Sequence, residues 1–455
     1  MISIGGQSVN ESHKLEGYKG RLLDLPKWLL IYLIITVVLY LFGPIDWKTH
    51  NPVITFALLF LYFLALGLGF SIGKKIYRPI KWEVSNNSQG NQFILKYFYL
   101  ISVAFIILKL IAIERIVRLY GWTNMFSIVE NIFSGTYSNL YTAEKLVSGG
   151  SAMFGGTLFT IVSLFFSPIT YCYIPIVFIL WKKLSWSKRL VGLVCVTLWA
   201  IQQLGSGTSQ GFFAIIMPLF VAFLLREPTK KVKSRTKTQF FVLILCIVLL
   251  LVAFNFVMAD RMKNTVNFSQ IGENKITKSG VLYECMPEGY KNLLIWTDFY
   301  ICQGYYGFSL ATTLDWIPTF GAGFSRWLCL ELSSAISPQI YQNTYQMRIE
   351  ENYQWGASAN WHTAFSWFAN DVSLYGVILV MFFLGLLFVY VYYDAYYYKN
   401  PMDVGLLCLL VQMIFFLPCN NMIFSDSFSL VPFFVYLIAF LFRRKGIKIA
   451  LKPNV

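Results

Sequence analysis

A chain of 455 residues that is 57% hydrophobic and 18% aromatic, with only 13% charged residues, is too apolar for a soluble domain of its size. It reads as an integral membrane protein. The net charge of +15 would suit nucleic acid if the basic residues formed one arm, but they stand in short clusters beside apolar runs, which is the pattern that sets membrane orientation and argues against a nucleic-acid partner.

Residues 1–26 are polar and of mixed charge, without a short apolar core followed by a small-residue cleavage site. No removable signal peptide is therefore expected, and the first span serves as the insertion signal. Apolar stretches follow at 28–43, 52–73, 93–113, 154–180, 189–205, 211–225, 239–259, 372–393, 404–418 and 429–442. Most approach the ~20 residues a membrane helix needs, so the expected fold is an all-α polytopic membrane protein with about ten transmembrane helices (10 to 12). With both termini on one side, that side receives roughly twice as many lysines and arginines as the other, and the bias predicts cytoplasmic termini. Between the seventh and eighth stretches lies a large loop, which this orientation places outside the cytoplasm. The expected organisation is a membrane domain over 1–259, the loop over 260–371, and a second membrane portion over 372–455. Two stretches of the loop, 292–313 and 316–336, are apolar enough to be interfacial or re-entrant helices, while Asp298, Gly304, Gly307, Asp315 and Pro318 argue against two further crossings.

The loop holds most of the residues that could do chemistry. Arg261, Arg326 and Arg348 lie in it, and Arg115 sits just past an earlier span. Arginine's planar fork binds phosphate or diphosphate bidentately and stays charged at any relevant pH, although single arginines at such positions also serve as interfacial anchors. Arg326 stands out because Gly321 and Gly323 precede it, offering a turn with backbone N–H groups near the guanidinium. His362, within the aromatic end of the loop from Trp355 to Trp367, is the natural general base for a hydroxyl, with a backbone-bonded interfacial histidine as the plain alternative. Asp371 is expected either to orient that base or to cap the helix that follows. Asp298, Asp315 and Glu331 are weaker acid/base candidates, since nothing in the sequence pairs them. The loop's many rings, Tyr305 among them, suit a glycan groove, and an aromatic belt at the membrane boundary accounts for a share of them.

Other motifs are excluded. The eight cysteines show no C-x-x-C pair and no zinc-ligand spacing, so no structural metal is expected; Cys285, Cys302 and Cys329 share the loop and allow one disulfide on an oxidising face. The small-residue run from Gly205 to Gly211 lacks a P-loop lysine and reads as a tight helical hairpin. No cofactor is indicated.

Three stretches resemble the Wzy-like oligosaccharide repeat-unit polymerases that build bacterial O-antigen and capsule. Thr363, Phe365 and Asp371, followed by Gly376 at the entry to a late span, are similar to that family's Thr-x-Phe, Asp and Gly; Tyr305 to Arg326 is similar to the glycine-bearing end of its large periplasmic loop; and Gly205 to Gly211 stands where many members place a small-residue turn containing an arginine. Thr208 and Ser209 occupy that turn here, which removes a phosphate-binding role for it. The resemblance implies a metal-independent, GT-C-like glycosyltransferase of the bacterial inner membrane. Such an enzyme moves a glycan from undecaprenyl diphosphate to a hydroxyl of the incoming lipid-linked repeat unit, with partners such as a flippase and a chain-length regulator. In that reading Arg326, Arg261, Arg348 and Arg115, with Tyr305, hold the substrate, and His362 with Asp371 carries the proton transfer. An O-antigen ligase shares the scaffold and donor and differs in its acceptor. A flippase or transporter would instead show internal repeats and charge at mid-membrane; Lys96 and Lys109 are the only basic residues inside spans, and both are near enough to span ends to snorkel.

Overall fold

The computed structural model describes residues 23–80, 89–119, 124–133, 156–205, 209–226, 232–262, 270–277 and 279–446. Among these the fold is all-α apart from one small sheet. All ten apolar stretches fall on helices: α1 (Leu25–Phe42), α2 (Pro52–Ile76), α3 and α4 (Gln89–Lys96 and Phe98–Leu119), with α5 (Phe126–Phe133) after them, then α6 (Gly156–Leu180), α7 (Trp186–Leu204), α8 (Ser209–Leu225), α9 (Val232–Met262) and, beyond the loop, three more. Among the described residues six helices are long and apolar enough to cross a membrane, and two apolar ones, Gly211–Leu225 and Pro401–Phe416, are shorter. The run from Gly205 to Gly211 lies partly outside the described residues.

The helix starts follow local chemistry. Asp24 caps α1 by accepting from Lys27 N, and Pro26 occupies the first turn, where a missing N–H leaves no bond unmade. Proline likewise opens α2 at Pro52. In the loop, helices form at Val281–Glu284 (α10), Lys291–Ala311 (α11), Arg326–Ala335 (α12), Gln339–Gln342 (α13) and Tyr345–Tyr353 (α14), followed by Ala364–Tyr398 (α15), Pro401–Phe416 (α16) and Ser427–Arg444 (α17). Ser325, Thr344, Thr363, Asn400 and Asp426 cap α12, α14, α15, α16 and α17 through their side-chain oxygens. The expected helix over 316–336 is realised only in its second half. Pro318, Phe320 with φ 54° and Gly321 with φ 82° hold the first half in a turn.

The bundle centres on α2 lying along α15. Gly69 and Gly385 meet at the crossing, where a Cβ on Gly385 would come within 2.5 Å of the Leu66 carbonyl oxygen, so small residues allow the two backbones to touch. Tyr62 then ties the pair together by donating to Leu374 O at 2.6 Å. Lys109 does not snorkel: it is buried between α4 and α7, where it donates to Gln202 Oε1 at 2.7 Å.

The large loop packs back onto the bundle. Its helix α11 is buried through its second half, with Tyr305 bonded to Thr36 of α1 at 2.8 Å. A three-stranded antiparallel sheet, in the order β1 (Ile45–Asp46), β3 (Asn274–Ile276), β2 (Gln270–Ile271), fastens the loop between α1 and α2 to the large one. Asp298 reinforces that junction by accepting from Ile45 N at 3.0 Å and Trp47 Nε1 at 2.9 Å. The eight cysteines are free thiols, and Cys285, Cys302 and Cys329 do not pair.

α15 is broken at Ser373, whose φ of 65° and ψ of 166° belong to a region almost confined to glycine. Ser373→Gly should relieve that strain and raise stability by about 1 kcal/mol, net of the lost Oγ contact to Gly376 N. Thermal melting in detergent reads it as a higher transition temperature.

Candidate functional site

A cleft of about 70 Å³ opens between the loop and the end of the bundle, lined by Arg326, Ala357, Ser358, Asn360, Trp361, His362, Trp367, Asn420, Asn421 and Ser425. Three chain segments build it. The first is the turn that ends at Arg326. Asp371 gathers this turn by accepting from Thr319 Oγ1 (2.6 Å), Gly321 N (2.9 Å), Gly323 N (3.1 Å) and Phe324 N (2.7 Å). Asn370 holds it from the other side, donating to Gly323 O at 2.9 Å and to Gln346 Oε1 at 3.0 Å while accepting from Tyr345 N at 2.8 Å. Gly323 has no room for a side chain, since a Cβ there would collide with Thr319 and Asn370. Arg326 is thereby delivered at the first position of α12, directly after its cap.

The second segment joins α14 to α15 and carries Ser358, Asn360, Trp361 and His362. The third is the loop between α16 and α17, whose Pro418 and Cys419 carbonyls press on Gly304 of α11 and whose Asn421 donates to Phe324 O at 2.6 Å. Four cleft residues keep a buried polar atom with no protein partner: Arg326 Nε, His362 Nδ1, Trp367 Nε1 and Asn421 Oδ1. Such atoms are costly to bury unpaired, and Arg326 gives the cleft wall one permanent positive charge.

The sequence-derived candidates separate sharply in space. Arg326 and His362 share the cleft. Asp371 does neither of its expected jobs, because its carboxylate is spent on the 319–324 turn and it lies inside α15. It is a positioning residue for Arg326. Arg348 does not line the cleft; it donates to Asp315 O at 2.7 Å and Asn343 O at 3.1 Å and stacks over Tyr345, clamping two parts of the loop. Arg115 sits on α4, away from the cleft lining. Tyr305 is fully buried, with its hydroxyl bonded to Thr36 and its ring against Tyr40, so it packs the core and meets no ligand in this geometry. Arg261 ends α9, and its side chain lies outside the described residues. No protein-family model, curated protein or solved structure matches the chain.

The small polar members were missed by sequence reasoning, whereas Trp361 and Trp367 fall within the loop's aromatic end. Asn420 and Asn421 stand between two apolar stretches with no basic residue nearby, and a search led by arginine, histidine and carboxylates passes over them. An amide pair in a short loop free of basic residues was the available signal.

His362 is 1% exposed, its Nε2 lies 3.3 Å from Gly356 O, and burial, with a smaller push from Arg326, lowers its pKa to about 4. A carbonyl only accepts, so Nε2 carries the proton and Nδ1 the lone pair, which faces Gly307 and Trp355. The ring is neutral near pH 7 and is a weaker base than an ordinary histidine. The sign of its effect on stability follows. The unfolded chain binds a proton below about pH 6.5 that the folded chain refuses until about pH 4, so stability is fully present above the first value and falls through that window. At pH 4 the loss attributable to this group is about 3 kcal/mol. Denaturation of His362→Gln in detergent should therefore show a shallower fall in stability between pH 6.5 and 4 than the unaltered protein.

Proposed function

We propose that the protein is a membrane glycosyltransferase that polymerises oligosaccharide repeat units carried on undecaprenyl diphosphate, acting on the periplasmic face of the bacterial inner membrane with both termini in the cytoplasm. The ten-span count and a GT-C-like scaffold belong to the same reading. The observation that carries it is the pairing of Arg326 with His362 in one polar cleft between the large loop and the last outer loop. The cleft has room for a phosphate-sized group and is far too small for a sugar chain, so the glycan lies along the outer surface. There Trp316 and Tyr353 are exposed.

Arg326 is suited to the donor diphosphate, where its guanidinium stabilises charge that develops on the leaving group. Leu330 lies one turn further along the same face of α12 and is exposed, as are Phe320 and Ile336 at the two ends of the turn-helix unit. These apolar groups give a polyprenyl tail a flank beside the charge. His362 supplies a neutral imidazole held by Gly356, and an acceptor hydroxyl gives up its proton to Nδ1 once that nitrogen is reached. With a base of low pKa, rate is expected to depend more on the electrostatics of Arg326 than on His362.

The test is direct. Purified, detergent-solubilised protein is incubated with lipid diphosphate-linked repeat units, without nucleotide, and products are resolved by gel. A ladder of longer lipid-linked glycans supports polymerisation. Transfer only when a lipid A-core acceptor is added supports a ligase, and no transfer by folded protein on verified substrate rejects both.

A further inference from the structure

On the opposite side of the bundle, away from the cleft, a groove of about 240 Å³ runs between α1 and α2. Its floor is Leu30, Ile31, Ile34 and Phe70, and Gly67 leaves its middle open, since a Cβ there would meet only the Leu30 side chain. Its mouth is polar. Lys74 Nζ reaches Asp24 Oδ1 across the gap at 2.5 Å, and exposed Lys27 stands beside them. The ends of the two helices thus leave a surplus of one positive charge over an apolar slot, with Lys75 and Arg78 following on the same chain end.

We infer that this groove binds one anionic phospholipid, its phosphate at Lys27 and Lys74 and one acyl chain along Leu30, Ile34 and Phe70. The dimensions agree: Lys27 to Ile34 covers seven residues, about 10 Å of helix, which matches the upper part of an acyl chain. In a bilayer an acyl chain gains little by moving from lipid to an apolar groove, so selectivity rests with the headgroup. A basic residue near an anionic surface contributes about 1 kcal/mol, which corresponds to about a fivefold preference. The slot determines that a lipid rather than free phosphate is held, and the charge selects an anionic over a zwitterionic headgroup.

The full-length protein is reconstituted into nanodiscs of equal phosphatidylglycerol and phosphatidylethanolamine, extracted gently, and its retained lipids are counted by native mass spectrometry. The expected result is one phosphatidylglycerol retained in preference to phosphatidylethanolamine, falling about fivefold in Lys27→Gln, restored in Lys27→Arg, and lost for both lipids at this site in Gly67→Leu, which fills the slot. Equal retention of the two lipids, or retention unchanged in Lys27→Gln and Gly67→Leu, overturns the inference. So does phosphatidylglycerol that appears only after residues 1–22 are deleted, because that result gives the groove to the chain's own N-terminal segment. Melting temperature checks that each variant is folded.

Discussion

Arg326→Ala is expected to lower the rate of glycan extension by about 100- to 1,000-fold, the usual loss when one preorganised group that stabilises developing charge is removed. Its melting temperature should fall only slightly, because this side chain gives up its hydrogen bond to Tyr341 while the turn that presents it is held by Asn370 and Asp371. Arg326→Lys keeps the charge and loses the fork, so it should retain part of the rate. Extension assays on protein matched for folding by thermal melting decide the matter. An Arg326→Ala protein that extends glycans normally would remove the diphosphate from this cleft.

The second large effect concerns stability at the far end of the bundle. Asp394→Ala is expected to destabilise the protein by about 3–5 kcal/mol, the range for breaking a buried ion pair from one side. Asp394 is fully buried on α15, and accepts from Arg443 Nη2 at 3.0 Å, from Arg444 Nε at 3.0 Å and Nη2 at 2.9 Å, and from Tyr77 at 2.7 Å. Arg443 also pairs with Asp403 at the start of α16, and Arg444 donates to Arg78 O and lies over Tyr77 and Tyr390. With Asp394 gone, Arg443 retains Asp403 while the partly buried Arg444 loses its carboxylate, and the uncompensated charge drives the loss. Urea or thermal denaturation in detergent measures it, and a shift no larger than that of a surface substitution would show that the cluster is solvated in practice.

That cluster also marks a limit of sequence reading. Arg443 and Arg444 were counted as topology-setting charges, a role they can share with pairing, but their partners lie 49 and 50 positions away and no local pattern links them. The apolar stretches were legible because each is a continuous run near bilayer length, and every one of them falls on a helix. The loop was legible only in part. Its first apolar stretch became α11, whereas the second was cut by Pro318 and by two positive-φ residues whose geometry is imposed from Asp371, far along the chain. Arg326 and His362 were found because an arginine after glycines and a histidine among tryptophans are rare enough to stand out. Tyr305 was misassigned for the opposite reason: it is one of many loop aromatics, and only packing against Thr36 and Tyr40 separates a core ring from a surface one. Asp371 was noticed but given the wrong task, since a carboxylate that collects four donors from a distant turn looks, in sequence, like a cap or a catalytic partner.

The cleft is the proposed place where a lipid-linked diphosphate binds, and Ser358 gives access to it. Ser358 is exposed, lines the cleft and sits outside the proposed chemistry. In a protein carrying Ser358→Cys, with the exposed Cys285 changed to serine, the rate of alkylation by a membrane-impermeant maleimide can be followed with and without substrate. Binding at the cleft predicts strong slowing by undecaprenyl diphosphate-linked glycan, little slowing by the same glycan without its lipid diphosphate, and loss of the protection when Arg326→Ala is added. An alkylation rate unchanged by the lipid-linked glycan, in protein shown to be folded, would contradict the assignment of this site.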